Sequence, residues 1–261
     1  MYAVSILALI NISACSSLEM VSHASSFEKV EMDGTLYKNE NFIFEKFEME
    51  VEIFVSKKSP SPTIVYAHGC SGWDDYEKSK ALLINSWGFN VVVPKYTKSR
   101  GFSNGKNLTC TRGWLVYSPA SRASDLNNIA IWVKKQDWHQ GKIGLIGFSL
   151  GAGAGEYVLF NPIDEFRWDG IVVFYPNCRV PDMVENNLIP HQFHLPDKDE
   201  YFYRCMERNI SKTRNYFIYE GATHSFDNNW RGRNRNGYQY DPAATRLSFD
   251  RVSNFFELNL R

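Results

Sequence analysis

Hydrophobic positions follow two patterns along the chain, and the change falls after Pro60 and Pro62. From Phe47 to Val55, apolar residues alternate with three glutamates, which is typical of a half-buried strand at an antiparallel edge. Further along, short continuous apolar runs predict strands that are buried on both faces. These runs are Ile64–Ala67, Val91–Val93, Ile143–Ile146, Ile171–Tyr175 and Tyr216–Tyr219.

Helical periodicity lies between these runs. Apolar residues recur at helical spacing in Ser121–Lys135 and Ala243–Leu258, and small residues predict a further helix over Ala152–Phe160. Strands that alternate with helices favour a mostly parallel sheet with helices on both faces. The predicted class is therefore α/β.

The length of the chain indicates the number of domains, and its net charge indicates which classes of partner are favoured. The 261 residues are enough for one sizeable core, and we expect a single domain over 46–261 after an N-terminal extension, 16–45. The 29 basic and 29 acidic residues cancel, so nothing in the charge favours nucleic acid or an anionic membrane surface.

The first fifteen residues, MYAVSILALINISAC, contain an apolar run without charge. Such a run predicts a signal peptide, because it is too short to span a bilayer. Its last four residues resemble a bacterial lipobox, in which Cys15 would be lipidated, and an ordinary cleaved secretory signal is the alternative. We expect an exported protein, either periplasmic or membrane-anchored through this lipid, or secreted.

Four further cysteines, Cys70, Cys110, Cys178 and Cys205, predict two disulfides in an exported chain. Three connectivities are possible, and the pairs closest in sequence are Cys70 with Cys110 and Cys178 with Cys205. Metal ligation is disfavoured because the chain has no CxxC or HxxxH pair. We expect neither a metal nor a cofactor.

The segment Gly147-Phe148-Ser149-Leu150-Gly151 follows a predicted strand and precedes a predicted helix. A serine nucleophile needs a sharp turn of this kind, which raises its hydroxyl above the sheet next to a helix N-terminus. The flanking glycines leave room for the turn. Ser149 is therefore the candidate nucleophile.

A nucleophilic serine needs a base, and His224 follows the last predicted strand at the same end of the sheet. His68 belongs to the loop HGCSG, whose backbone amides could hold an oxyanion. We expect structural roles for the other histidines: His23, His139, His191 and His194.

The base needs an orienting acid. Asp197, Asp199 and Glu200 leave the predicted strand Gln192–Leu195, and we take Asp199 as the acid with Asp197 as the alternative. The order of serine, acid and histidine along the chain is the order found in α/β-hydrolases.

Several motifs together resemble the dienelactone hydrolase family of α/β-hydrolases. They are YAHGCSGW, GFNVVVPKYTKSRG, SRASDL, KIGLIGFSLGAG, GIVVFYPNC, PDKDEYFYRC and YEGATHSFD, in order from about residue 60 to residue 258. The resemblance implies that Ser149 is the nucleophile, Asp199 the acid and His224 the base. It also implies that the backbone amides of Cys70 and Leu150 form the oxyanion hole.

The resemblance also supports a Cys178–Cys205 disulfide. This chain departs from better-known relatives in having a serine nucleophile in place of cysteine, Lys95 in place of an aspartate and Pro196 in place of a glycine. The implied function is hydrolysis of a small-molecule ester or lactone through an acyl-enzyme. A non-catalytic binding protein on the same scaffold is the alternative.

Overall fold

A computed structural model of the chain describes residues 25–38, 41–101, 117–161, 166–179, 189–207, 215–229 and 237–261. In these residues, eight strands form one sheet in the order β1-β2-β4-β3-β5-β6-β7-β8. The strands are β1 (Ser26–Lys38), β2 (Asn41–Phe54), β3 (Ser61–Ala67), β4 (Asn90–Pro94), β5 (His139–Phe148), β6 (Gly170–Phe174), β7 (His191–Pro196) and β8 (Tyr216–Tyr219). The helices are α1 (Asp75–Ser86), α2 (Tyr96–Ser99), α3 (Pro119–Val133), α4 (Leu150–Phe160), α5 (Phe202–Glu207) and α6 (Pro242–Leu260).

The predicted α/β class is confirmed. The five predicted apolar runs lie in β3, β4, β5, β6 and β8, although β6 ends at Phe174, one residue short of the predicted run, and β7 contains the predicted strand Gln192–Leu195. Strands β3 to β8 pair in parallel, while β2 pairs antiparallel with both β1 and β4. Because the parallel strands all run the same way, their carboxyl ends lie at one edge of the sheet, where ligands bind in open α/β sheets.

The predicted antiparallel strand exists as part of β2, but it does not lie at the edge. β1 pairs along its whole outer side, so part of the segment 16–45 belongs to the same sheet as the predicted domain. The two faces of β1 explain its polar sequence. Val30 and Met32 are buried in the core, whereas Lys29 and Glu31 face solvent and form ion pairs with residues of β2.

Hydrophobic layers cover both faces of the sheet. On one face, α3 and α4 contribute apolar residues to a core cluster that also includes buried residues of β1 and β2. On the other face, Ala81 and Ile84 of α1 pack in a cluster with Phe249, Val252 and Phe256 of α6. The two layers fix the strands and leave the loops at their carboxyl ends to build a site.

Cys178 and Cys205 form a disulfide with a Cα–Cα distance of 5.1 Å, which confirms the predicted pair. Cys70 is also disulfide-bonded, while Cys110 and Cys15 lie outside the described residues, as does the whole predicted signal segment. Within the described ranges, no helix has both the length and the apolar character needed to cross a membrane.

Candidate active site

Ser149 lies on the turn between β5 and α4, in a backbone conformation that residues other than glycine rarely adopt. Its φ is 51° and its ψ is −108°. Its backbone N–H donates to the Phe174 carbonyl oxygen at 3.0 Å, so the neighbouring strand β6 holds the strained residue in place. The predicted turn therefore projects the Ser149 hydroxyl at the carboxyl edge of the sheet.

The turn requires glycine at two positions, because the backbones of β3, β5 and α4 approach each other closely there. A Cβ atom at Gly147 would lie 2.6 Å from the Gly151 carbonyl oxygen. A Cβ atom at Gly151 would lie 2.1 Å from the carbonyl oxygen of Ala67, at the end of β3. Any side chain at either position would push helix α4 away from the strands.

The structure brings Ser149 together with His224 and Asp199. His224 Nε2 lies 2.9 Å from Ser149 Oγ, and His224 Nδ1 lies 2.6 Å from Asp199 Oδ2. Because a carboxylate only accepts hydrogen bonds, Nδ1 carries the imidazole proton and Nε2 accepts the serine hydroxyl. Both Asp199 and His224 are buried.

The alternative acid, Asp197, has a different position. Its Oδ1 accepts a hydrogen bond of 2.7 Å from the backbone N–H of Gly221, in the turn after β8. Asp199 instead directs Oδ2 at His224, while its Oδ1 accepts from the backbone N–H of Tyr201 at 3.0 Å. Of the two aspartates, only Asp199 forms a hydrogen bond with His224.

Three tyrosine rings surround His224. The Tyr175, Tyr201 and Tyr238 rings lie 4.7, 5.8 and 5.1 Å from the imidazole, measured between ring centroids. Tyr175 itself has a positive φ of 39°, and its backbone N–H is held by the carbonyl oxygen of His194 at 2.9 Å. These rings restrict rotation of the imidazole and reduce its exposure to water.

The loop HGCSG passes directly beside the serine. A Cβ atom at Gly69 would lie 3.8 Å from Ser149 Cβ, so this loop and the start of α4 face each other. Leu150 is the first residue of α4, where backbone N–H groups have no partner within the helix. The predicted oxyanion donors, Cys70 and Leu150, thus belong to the two segments that flank Ser149.

A buried charge cluster beneath the site had no counterpart in the sequence predictions. Lys80 Nζ lies 3.2 Å from both Asp227 Oδ2 and Glu77 Oε2, and 3.7 Å from the centre of the Phe148 ring. The Tyr175 hydroxyl donates to Asp227 Oδ1 at 2.8 Å. The cluster therefore connects α1, the strand before Ser149 and the loop that carries His224.

The other histidines in the described residues have structural contacts. His139 is the first residue of β5, and its Nδ1 lies 2.8 Å from Thr63 Oγ1. His194 lies in β7 and stacks on Phe174, and burial lowers its pKa to about 3. His191 begins the same strand, and His23 lies outside the described residues.

Comparison with family profiles matches residues 49–260 to the dienelactone hydrolase family. The chain belongs to the dienelactone hydrolase family. Membership confirms the resemblance inferred from the motifs, and it supports a hydrolase. No curated protein matches the chain.

Solved structures show the same fold at low sequence identity. A dienelactone hydrolase-like promiscuous phosphotriesterase from metagenomic libraries is 18% identical, with a TM-score of 0.66 over 91% of this chain and 100% of its own. A dienelactone hydrolase from Anabaena variabilis is 14% identical, with a TM-score of 0.56 over 89% and 99%. An esterase from Pyrococcus furiosus is 16% identical, with a TM-score of 0.55 over 90% and 94%.

Proposed function

We propose that this dienelactone hydrolase family member is a serine hydrolase that cleaves an ester or lactone bond of a small molecule. The observation that supports it most directly is the hydrogen-bonded chain from Ser149 through His224 to Asp199. A buried acid, an imidazole in a fixed tautomer and a serine on a strained turn are the parts that nucleophilic acyl transfer requires.

The chemistry follows from these contacts. His224 Nε2 takes the proton from Ser149 Oγ as that oxygen attacks the ester carbonyl carbon. Asp199 stabilises the imidazolium through its hydrogen bond to Nδ1. His224 then gives its proton to the leaving alcohol, which produces an acyl-enzyme. In the second half of the reaction, His224 activates a water molecule that releases the acid and restores Ser149.

The negative charge that develops on the carbonyl oxygen needs hydrogen-bond donors. We assign this role to the backbone N–H groups of Cys70 and Leu150, because their segments lie on either side of Ser149. A single donor of this kind contributes about 3 to 4 kcal/mol to the stabilisation of the transition state. The start of α4 adds the positive end of a helix dipole at the same place.

Labelling with a fluorophosphonate probe, followed by peptide mapping, tests the proposal. We expect modification at Ser149 in the wild type and none in Ser149→Ala or His224→Ala. Circular dichroism spectra of the variants should match the wild type, so that loss of labelling reports loss of the activated serine. A folded wild-type protein that never labels would reject the proposal and favour a binding protein on this scaffold.

We also propose that the protein acts outside the cytoplasm. The Cys178–Cys205 disulfide and the bonded Cys70 support this location, since disulfides persist in oxidising compartments. Metabolic labelling with a fatty acid distinguishes the two predicted signals. Incorporation that is lost in Cys15→Ser would identify a lipoprotein, whereas a shortened, unlabelled chain would identify a cleaved secretory signal.

A further inference from the structure

One peptide unit of the loop HGCSG, residues 68–72, is central to the proposed chemistry: the unit that joins Gly69 to Cys70. Its N–H is the oxyanion donor assigned to Cys70, and its carbonyl oxygen belongs to Gly69. Because this peptide is planar and trans, the two groups point in opposite directions. The direction of the Gly69 carbonyl therefore decides where the Cys70 N–H points.

The residues on either side do not by themselves fix the plane of this peptide. Gly69 has no side chain, so positive and negative φ values are both open to its backbone. Cys70 is held through its disulfide, but a peptide unit can rotate between two fixed Cα atoms. A rotated peptide would present its carbonyl oxygen, in place of its N–H, to the developing negative charge. The proposed site therefore needs a contact that holds the Gly69 carbonyl oxygen.

Two donors hold this oxygen. The Nδ1 atom of His68 lies 2.8 Å from the Gly69 carbonyl oxygen, and the backbone N of Gly72 lies 3.2 Å from it. Because a carbonyl oxygen only accepts hydrogen bonds, His68 Nδ1 carries a ring proton. Burial lowers the pKa of His68 to about 4, so the ring is neutral at pH 7 and this proton is its only one. The side chain of His68 therefore commits its single donor to the Gly69 carbonyl.

Tyr96 fixes the orientation of the His68 ring. The two rings stack with centroids 4.2 Å apart and planes 7° from parallel. The Tyr96 hydroxyl also donates a hydrogen bond to the backbone carbonyl oxygen of His68. His68 is fully buried, so its ring has no open space into which to turn. These contacts keep Nδ1 directed at the Gly69 carbonyl oxygen.

The second ring nitrogen of His68 shows that the histidine is not the best residue for stability alone. Within the described residues, Nε2 makes no hydrogen bond, and a buried polar atom in that state lowers stability. An apolar side chain would avoid this loss and could still pack against Tyr96. What an apolar side chain could not supply is the hydrogen bond to Gly69.

We propose that His68 is a positioning residue for the oxyanion hole. Its Nδ1–H holds the Gly69 carbonyl oxygen, so that the Cys70 N–H faces the carbonyl oxygen of the substrate. A hydrogen bond accepted by the carbonyl also polarises the N–H of the same peptide, which strengthens it as a donor. His68 acts through this peptide and needs no contact with the substrate. This inference rests on the ester hydrolase function proposed above.

His68→Asn and His68→Leu form a matched pair of variants. Both remove the ring and its stacking on Tyr96, and the two new side chains have a similar shape, but only asparagine keeps an N–H donor near the position of Nδ1. We expect His68→Leu to lower kcat for 4-nitrophenyl acetate about 10- to 100-fold, and His68→Asn to lose clearly less. KM should change little, because the oxyanion forms in both acylation and deacylation and in neither ground state.

Stability separates positioning from a general effect on the fold. Leucine places no polar atom in the buried site, so His68→Leu should unfold at a urea concentration no lower than that of His68→Asn. The slower enzyme would then be the variant of equal or greater stability. If the less stable of the two variants were instead the slower one, the role of His68 would be to stabilise the fold, and the inference would be overturned.

An NMR measurement tests the hydrogen bond without any catalysis. Gly-Cys occurs once in the chain, so protein labelled with ¹³C at glycine carbonyls and ¹⁵N at cysteine gives one carbonyl–amide cross-peak, from Gly69 and Cys70. We expect this peak to shift or broaden in His68→Leu and to stay close to its wild-type position in His68→Asn. An unchanged peak in His68→Leu, or equal kcat in the two variants, would overturn the inference. A wild type that neither hydrolyses esters nor labels with fluorophosphonate would reject the proposed function, while the cross-peak would still decide whether His68 holds this peptide.

Discussion

Gly151 lies at the closest approach between helix α4 and strand β3, which makes Gly151→Ala a direct test of how the serine turn is built. The added Cβ would lie 2.1 Å from the Ala67 carbonyl oxygen, whereas ordinary contacts begin at 3.4 Å. The helix and the strand must therefore separate by about 1 Å or more. Because the opposing atoms are backbone, we expect a loss of about 3 kcal/mol in the free energy of unfolding, at the upper end for overpacking.

The same displacement should reduce activity, since Ser149 and the Leu150 amide move with the start of α4. A misplacement of about 1 Å can lower a rate about 10²-fold. Urea denaturation and the rate of fluorophosphonate labelling measure the two effects on the same preparations.

Gly153→Ala is the matched control because it adds the same methyl group two residues later in α4. The nearest atom to its Cβ is Arg122 Nη2 at 3.4 Å, which is an ordinary contact. Alanine is favoured over glycine inside a helix by about 1 kcal/mol, so this variant should be as stable as the wild type or slightly more so. If Gly151→Ala and Gly153→Ala unfold at the same urea concentration and label at the same rate, the close approach is not what requires glycine.

Three further predictions concern the acid, the disulfide and a buried histidine. Asp199→Asn should lower the rate of ester hydrolysis about 10³-fold or more, because an amide no longer fixes the imidazole tautomer. Asp197→Asn should retain most of the activity. Similar losses in both variants would contradict the assignment of Asp199 as the acid. Replacing both Cys178 and Cys205 by alanine should lower the free energy of unfolding in urea by about 3 to 4 kcal/mol, because the disulfide closes a loop between residues 27 positions apart. A loss below about 1 kcal/mol would contradict a stabilising role for this disulfide. Burial lowers the pKa of His194 to about 3, so the unfolded chain takes up this proton first as the pH falls. His194 should therefore leave the free energy of unfolding unchanged above about pH 7 and lower it progressively from about pH 6.5 towards pH 3. In His194→Gln, the free energy of unfolding in urea should depend less steeply on pH over this range. An equal dependence on pH in the wild type and the variant would contradict this prediction.

The strands of the sheet could be predicted from the sequence where both of their faces are buried. The central strands β3, β4, β5 and β6 are buried over most of their length, so their sequences contain short apolar runs that stand out from their neighbours. β1 was missed because only one of its faces meets the core. Its outward side chains, such as Lys29 and Glu31, make the segment look like a polar extension, although their charges are paired across the ladder with β2.

The candidate site was predictable where its geometry is local. The glycines around Ser149 and the position of His224 after the last strand are features of short segments. The choice between Asp197 and Asp199 is different, because each lies on the same turn and only the distant partner distinguishes them. No sequence pattern could indicate that Lys80 pairs with a residue 147 positions away.

The pairing of Lys80 with Asp227 limits how the base loop can be exchanged between related enzymes. Asp227 lies three residues after His224, so one short turn supplies both the proposed base and the counter-ion of a buried lysine in α1. A chimera that receives this loop without a lysine at the matching position of its own helix would bury an unpaired carboxylate, which is costly. Transplanting the base loop therefore means transplanting two segments at once, and libraries that vary one of them alone will consist largely of poorly folded proteins.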